Sequence, residues 1–150
     1  MRIEHWTHAL NIISKLTIFL ALIFIITIGY WLTWPYEPIK FTQEKTVLLN
    51  PNLMVKHGEP LLIEVEVDQY ESGIVYSIDR RVIGENFVFA LPTTSRTTEK
   101  GHFKYVNASF VIPEFIPCGH YQMKTIIKIQ VNPLRTIVIE RMTDQFEVYR

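Results

Sequence analysis

Cysteine is nearly absent: Cys118 is the single one among 150 residues. That excludes an internal disulfide framework and a four-cysteine metal site. A surplus of basic charge is also lacking, since 15 lysines and arginines are matched by 15 aspartates and glutamates. A generic phosphate-gripping surface needs such a surplus, so nucleic acid is not expected among the partners. Charged residues are scarce, at 20% against 48% hydrophobic residues, which excludes an intrinsically disordered chain. Glycine-rich phosphate loops and nucleophile elbows are missing. His57, His102 and His120 are scattered, and no pair has metal-ligand spacing on one strand. His5 and His8 read as solvated or interfacial residues, and Cys118 near His120 as an unpaired thiol beside a turn. No catalytic group, metal or cofactor is expected, and the chain reads as a non-enzyme.

The most informative absence is local. No charged residue occurs in the 21 positions from Leu16 to Tyr36. As a helix, such a run rises about 30 Å, the hydrocarbon thickness of a bilayer. Its flanks fit that reading. Lys15 precedes it, and Tyr30, Trp31, Trp34 and Tyr36 cluster at its far end, where aromatic rings with a polar edge favour the headgroup level. Pro35 and Pro38 then stop the helix. Small residues in the pattern that signal peptidase needs are lacking, since Gly29-Tyr30-Trp31-Leu32-Thr33-Trp34 is bulky. An uncleaved, single-pass anchor is expected over residues 16–36. Residues 1–15 form a short cytoplasmic or interfacial segment, with Trp6, Leu10 and Ile13 near one helical face. Nearby basic residues tie, Arg2 and Lys15 against Lys40 and Lys45. Lys15 lies closest to the span, so the N-terminus is expected in the cytoplasm and the C-terminal domain outside it, periplasmic if the cell is bacterial.

After a linker over residues 37–45, the pattern changes to alternation. In Leu61-Leu62-Ile63-Glu64-Val65-Glu66-Val67-Asp68 the apolar side chains point one way and the acidic ones the other, the mark of a strand with one wet face. Further inward rows are Ile74-Tyr76-Ile78, Phe87-Phe89-Leu91, Val106-Ala108-Phe110-Ile112 and Tyr121-Met123-Thr125-Ile127-Ile129-Val131. Thr46 to Asn50 begins the series and residues 136–149 end it. Residues 46–150 therefore predict about seven antiparallel strands in a sandwich or barrel, with no helix. Pro92 to Gly101 reads as a polar crossover loop. Asn107-Ala108-Ser109 matches a glycosylation acceptor but falls within a predicted strand.

Pro117-Cys118-Gly119-His120-Tyr121-Gln122-Met123 resembles the tyrosine corner before strand F of an immunoglobulin-like domain, with Gly119 and Tyr121 as the matching residues. Gly58-Glu59-Pro60-Leu61 is similar to the turn that feeds strand B in immunoglobulin-like and fibronectin-like ectodomains. The resemblance covers residues 47–148. It implies an all-β immunoglobulin-like antiparallel sandwich behind the transmembrane helix. All three tryptophans lie outside the sandwich, so the strand-C tryptophan is missing and Tyr76 is its candidate replacement. In that topology Phe115, Ile116 and Cys118 occupy the loop at one tip and are candidate partner contacts. The competing reading folds Phe115 or Ile116 inward as a plug.

The resulting expectation is a membrane-anchored protein-interaction module, an accessory or structural part of a membrane or envelope complex. Its expected partners are the bilayer and another membrane or envelope protein, with homo-oligomers allowed. The alternatives are a self-assembling structural component of a larger particle, a viral one included, and, behind both, an enzyme or solute-binding protein. The last would need a polar pocket between the sheets.

Overall fold

The computed structural model describes residues 2–33 and 36–150, with side chains for 10–33, 36–106 and 110–150. Trp34 and Pro35 lie outside the described residues, as do the side chains of His5, Trp6, His8 and Asn107.

The described chain divides into two units. In the first, a helix α1 runs over Arg2–Thr33. Residues 2–15 are helical and continuous with the apolar stretch. The span was expected over residues 16–36; the described part of the helix reaches Thr33, and Trp34 and Pro35 lie outside the described residues. The stretch Leu10–Thr33 is long and apolar enough to cross a membrane, and none of it is buried. Three threonines in this stretch turn their hydroxyls back on the helix. Thr17, Thr27 and Thr33 donate to the carbonyls of Ile13, Ile23 and Gly29 at 2.8–2.9 Å. Each hydroxyl is satisfied without water, as a hydrocarbon environment requires. Within this unit Asn132 Nδ2 donates to the Trp31 carbonyl at 2.9 Å, capping one of the last carbonyls that an α-helix leaves unpaired.

The second unit is all β. Its strands are β1 (Ile39–Phe41), β2 (Val47–Leu48), β3 (Met54–Lys56), β4 (Pro60–Gln69), β5 (Val75–Gly84), β6 (Val88–Ala90), β7 (Thr94–Thr97), β8 (Gly101–Val111), β9 (Gly119–Asn132), β10 (Arg135–Met142) and β11 (Phe146–Tyr149). They form two sheets. In the first, β4 lies between β8 on one side and β1 and β2 on the other. In the second the order is β3-β11-β9-β5-β6, with β10 also beside β9 and β7 also beside β5. β6, β7 and β9 run antiparallel to β5, as β11 does to β9, whereas β3 and β11 run parallel. The chain passes from the first sheet to the second through Asn50–Leu53. Asn50 secures that crossing: its Nδ2 donates to the Pro60 carbonyl at 3.0 Å and its Oδ1 accepts from the Leu62 amide at 2.7 Å.

The eleven strands exceed the expected seven because edge strands are broken into pieces. Pro92 has no amide hydrogen to give a ladder, and it separates β6 from β7 along the edge of β5. Two expected loops are therefore partly strand. Thr94–Thr97 pairs with Val75–Ile78, and Ile39–Phe41, placed in the linker by sequence, pairs with Gln69–Val67. Ile39 drives the second change, since pairing brings its side chain to 3% exposure.

The alternation of β4 holds. Leu61, Ile63 and Val67 are buried, while Glu64, Glu66 and Asp68 meet Lys104 and His102 of β8 on the outer face. The core forms two clusters. One gathers Leu61, Val82, Ile112, Ile116, Met123 and Phe146 with their neighbours. The other gathers Ile39, Val67, Tyr76, Ile78, Ile127 and Ile129. Tyr76, the candidate replacement for the missing tryptophan, is buried in the second cluster.

Candidate functional site

Three places in the chain carry the features that sequence singles out or overlooks. The first is the helix. Apolar side chains project on every side of α1, with Leu16, Phe19, Ile23, Phe24 and Ile26 each 45–68% exposed. Of the interface residues, Lys15, Tyr30 and Trp31 are exposed and Tyr36 is half-buried.

The second place is the loop between β8 and β9, which brings the expected tip residues together but not on one surface. Phe115 is 64% exposed, with its ring edge-on to Phe89 at 5.4 Å between centroids. Phe89 in turn meets Phe110 at 6.3 Å. Cys118 is exposed. Ile116 is 1% exposed and belongs to the first core cluster, so it is not a surface contact. The cause is local. The Ile116 amide closes a turn on the Pro113 carbonyl at 3.2 Å, and the Ile116 carbonyl meets His57 Nε2 at 2.7 Å. The side chain is thereby directed into the end of the sandwich. Gly119 follows with φ 155°, a conformation that L side chains rarely adopt. Tyr121 then folds back, donating its hydroxyl to the Pro117 carbonyl at 2.8 Å. Burial pushes the Tyr121 hydroxyl above its usual pKa, and the Cys118 thiol adds to this. Residues 83–87, 117–122 and Gln145 line an open groove of about 670 Å³ beside this loop. Among the described residues no group of three or more His, Cys, Asp and Glu converges as a metal site.

The third place was not anticipated. Between the two core clusters lies a cavity of about 70 Å³. Arg80, Arg96 and Arg141 all line it, together with Thr125, Tyr76 and Tyr105 and an apolar wall, and no carboxylate does. Arg80 stands between Ile78 and Val82 in the inward row of β5, opposite Thr125 of β9. Arg141 ends the inward row of β10. The available signal was a charge falling on the apolar phase of two alternating strands, which runs against the rule that buried charges are rare.

No family model matches the chain, and no curated protein matches it. Among solved structures, it is similar to a Pseudomonas fluorescens alkylpurine DNA glycosylase, AlkC, bound to DNA containing an abasic site analog. The identity is 10% and the TM-score 0.38, over 75% of this chain and 31% of that one. The chain thus spans about a third of that protein's length, and a likeness of this size carries no argument about what this chain does. The expected partner set left nucleic acid out, whereas this similar structure is a DNA-bound one, and that exclusion is withdrawn on physical grounds. The physical weakness of that exclusion is that zero net charge averages over the whole chain and says nothing of local arginine clusters.

Proposed function

We propose that this chain is a single-pass, membrane-anchored protein whose β unit is an immunoglobulin-like sandwich acting as a protein-interaction module, without catalytic activity. The observation that carries the proposal is the uncovered helix. From Leu16 to Thr33 the helix is apolar around its whole circumference, and its threonine hydroxyls are satisfied internally. A helix that is hydrophobic on all sides is stable in a large core or in lipid, and among the described residues nothing covers this stretch. The immunoglobulin-like assignment is supported by three features. The first edge passes from one sheet to the other. Its second part, β3, runs parallel to the last strand, β11. The Tyr121 hydroxyl bonds four residues upstream at the start of β9. The proposed contact residues are the exposed Phe115 and the exposed Cys118 of the same loop. The proposed orientation places the N-terminus in the cytoplasm, supported by Lys15 at the start of the uncharged run.

Alkaline carbonate washing of membranes tests the anchor. The full chain stays in the pellet, and a chain lacking residues 2–33 moves to the supernatant. Full-length protein released by the wash would end the proposal. Protease treatment of sealed cells reads the orientation, with digestion of residues 37–150 from outside as the expected result. Photocrosslinking from a reagent attached to the exposed Cys118 thiol tests the contact surface. A partner band lost on Phe115→Asp, at an unchanged melting temperature, is expected.

A further inference from the structure

The polar layer between the two core clusters contains cations without counter-charges. Arg141 is only 7% exposed, and its Nε and Nη2 are buried without hydrogen-bond partners. The Nε of Arg80 is likewise buried and unpartnered. Both residues line a cavity with no carboxylate in its lining, and the solvent-exposed Arg96 stands at the same wall. An uncompensated buried charge is strongly unfavourable. Arg141, with the half-buried Arg80 beside the same cavity, leaves an unmet demand for negative charge at one point.

The geometry specifies what meets that demand. The Arg141 guanidinium lies 4.5 Å over the Phe41 ring, so the aromatic face occupies the flat side of the cation. Its edge carries Nε and Nη2 as adjacent donors, both buried and without a hydrogen-bond partner. That edge is the fork that takes two oxygens of a carboxylate or phosphate group at once. Size narrows the choice. A cavity of about 70 Å³ has room for a few water molecules, each needing about 10–15 Å³. It accommodates a small oxyanion and excludes an acyl chain or a nucleotide. Thr125, opposite Arg80, supplies a neutral hydroxyl at the same level. We infer that Arg141 and Arg80 form an inter-sheet binding site for a small oxyanion, of the phosphate or carboxylate type.

Burial holds both guanidiniums below their ordinary pKa, and for Arg80 the neighbouring charge of Arg96 pushes the same way. An anion in the cavity reverses both pressures. The site is independent of whether the chain is membrane-anchored, since every residue named belongs to the β unit.

The experiment is thermal melting of the full-length protein in uncharged detergent, titrated separately with sodium phosphate and sodium acetate. Ionic strength is held constant with sodium chloride. A saturable rise in melting temperature with one of the two salts is expected, and the salt that acts separates a phosphate from a carboxylate ligand. Arg141→Lys keeps the charge but loses the fork, and weakens the apparent affinity about tenfold or more, as loss of a charge-assisted hydrogen bond does. Arg80→Met removes the second cation and abolishes the response. Far-UV circular dichroism establishes that each variant is folded, and either variant alone suffices if the other is not. Absence of a saturable response to both salts overturns the inference, because the cavity then holds only water. An equal response in wild type and in a folded variant also overturns it.

Discussion

Tyr121 and Gly84 face each other across the β5–β9 ladder, and a Cβ on Gly84 would lie 2.5 Å from the Tyr121 ring. The ring is buried and its hydroxyl is held by the Pro117 carbonyl, so it has nowhere to move. Gly84→Ala therefore destabilises the β unit by about 1–3 kcal/mol, the usual cost of overpacking. Tyr121→Phe leaves the ring in place and removes one hydrogen bond, costing about 1 kcal/mol. Chemical denaturation followed by tyrosine fluorescence or circular dichroism measures both, and Gly84→Ala should be the more damaging of the two.

Adjacent residues of the β8–β9 loop should behave oppositely. Ile116 is a core residue, and Ile116→Ala costs about 2–5 kcal/mol through lost burial and a cavity. Phe115 is mostly exposed, and Phe115→Ala costs about 1 kcal/mol or less, its contact with Phe89 being the main loss. Equal costs at the two positions would mean that the loop is not held as described.

His102 makes stability depend on pH. Its Nδ1 is 2.7 Å from Asp68 Oδ1 and its Nε2 is 3.1 Å from Glu66 Oε1. The hydrogen bond to Asp68 is the largest cause of a raised pKa, with the charges of Asp68 and Glu66 adding to it. A folded-state value above the unfolded one means that the imidazolium stabilises the fold. That contribution is fully present below the unfolded value of about 6.5 and is lost as pH rises through the folded one. The melting temperature should fall as pH increases across this interval, and His102→Gln should flatten the slope. Because His102 is exposed on the surface, the effect is small and diminishes with added salt.

Arg141→Met should not weaken the fold in a buffer of chloride salts. It replaces a buried cation that has two unpartnered donors with an apolar side chain of similar length. Such exchanges are commonly neutral, or stabilising by about 1–4 kcal/mol. Thermal melting without oxyanions is the measurement, and a large loss of stability would show that Arg141 is satisfied within the fold itself.

The division between sequence and tertiary structure runs along physical lines. Local periodicity carried a good deal. Twenty-one uncharged positions require a long apolar helix, because no charged group interrupts them. Strict alternation at Ile63, Val65 and Val67 requires a strand with one wet face, because successive side chains leave a strand on opposite sides. Gly119 and Tyr121 already held the corner, since the tyrosine reaches back only four residues. What lay beyond the sequence depends on distant partners. Ile39 becomes part of a strand only because Gln69 offers a free edge, and Thr94–Thr97 only because Val75–Ile78 does. Phe115 and Ile116 are neighbours with similar hydrophobicity, and the His57 contact with the Ile116 carbonyl helps to fix which one enters the core. Arg80 and Arg141 are far apart in the chain, on strands that flank β9, and only the closing of two sheets over them makes a cavity whose charge is unbalanced.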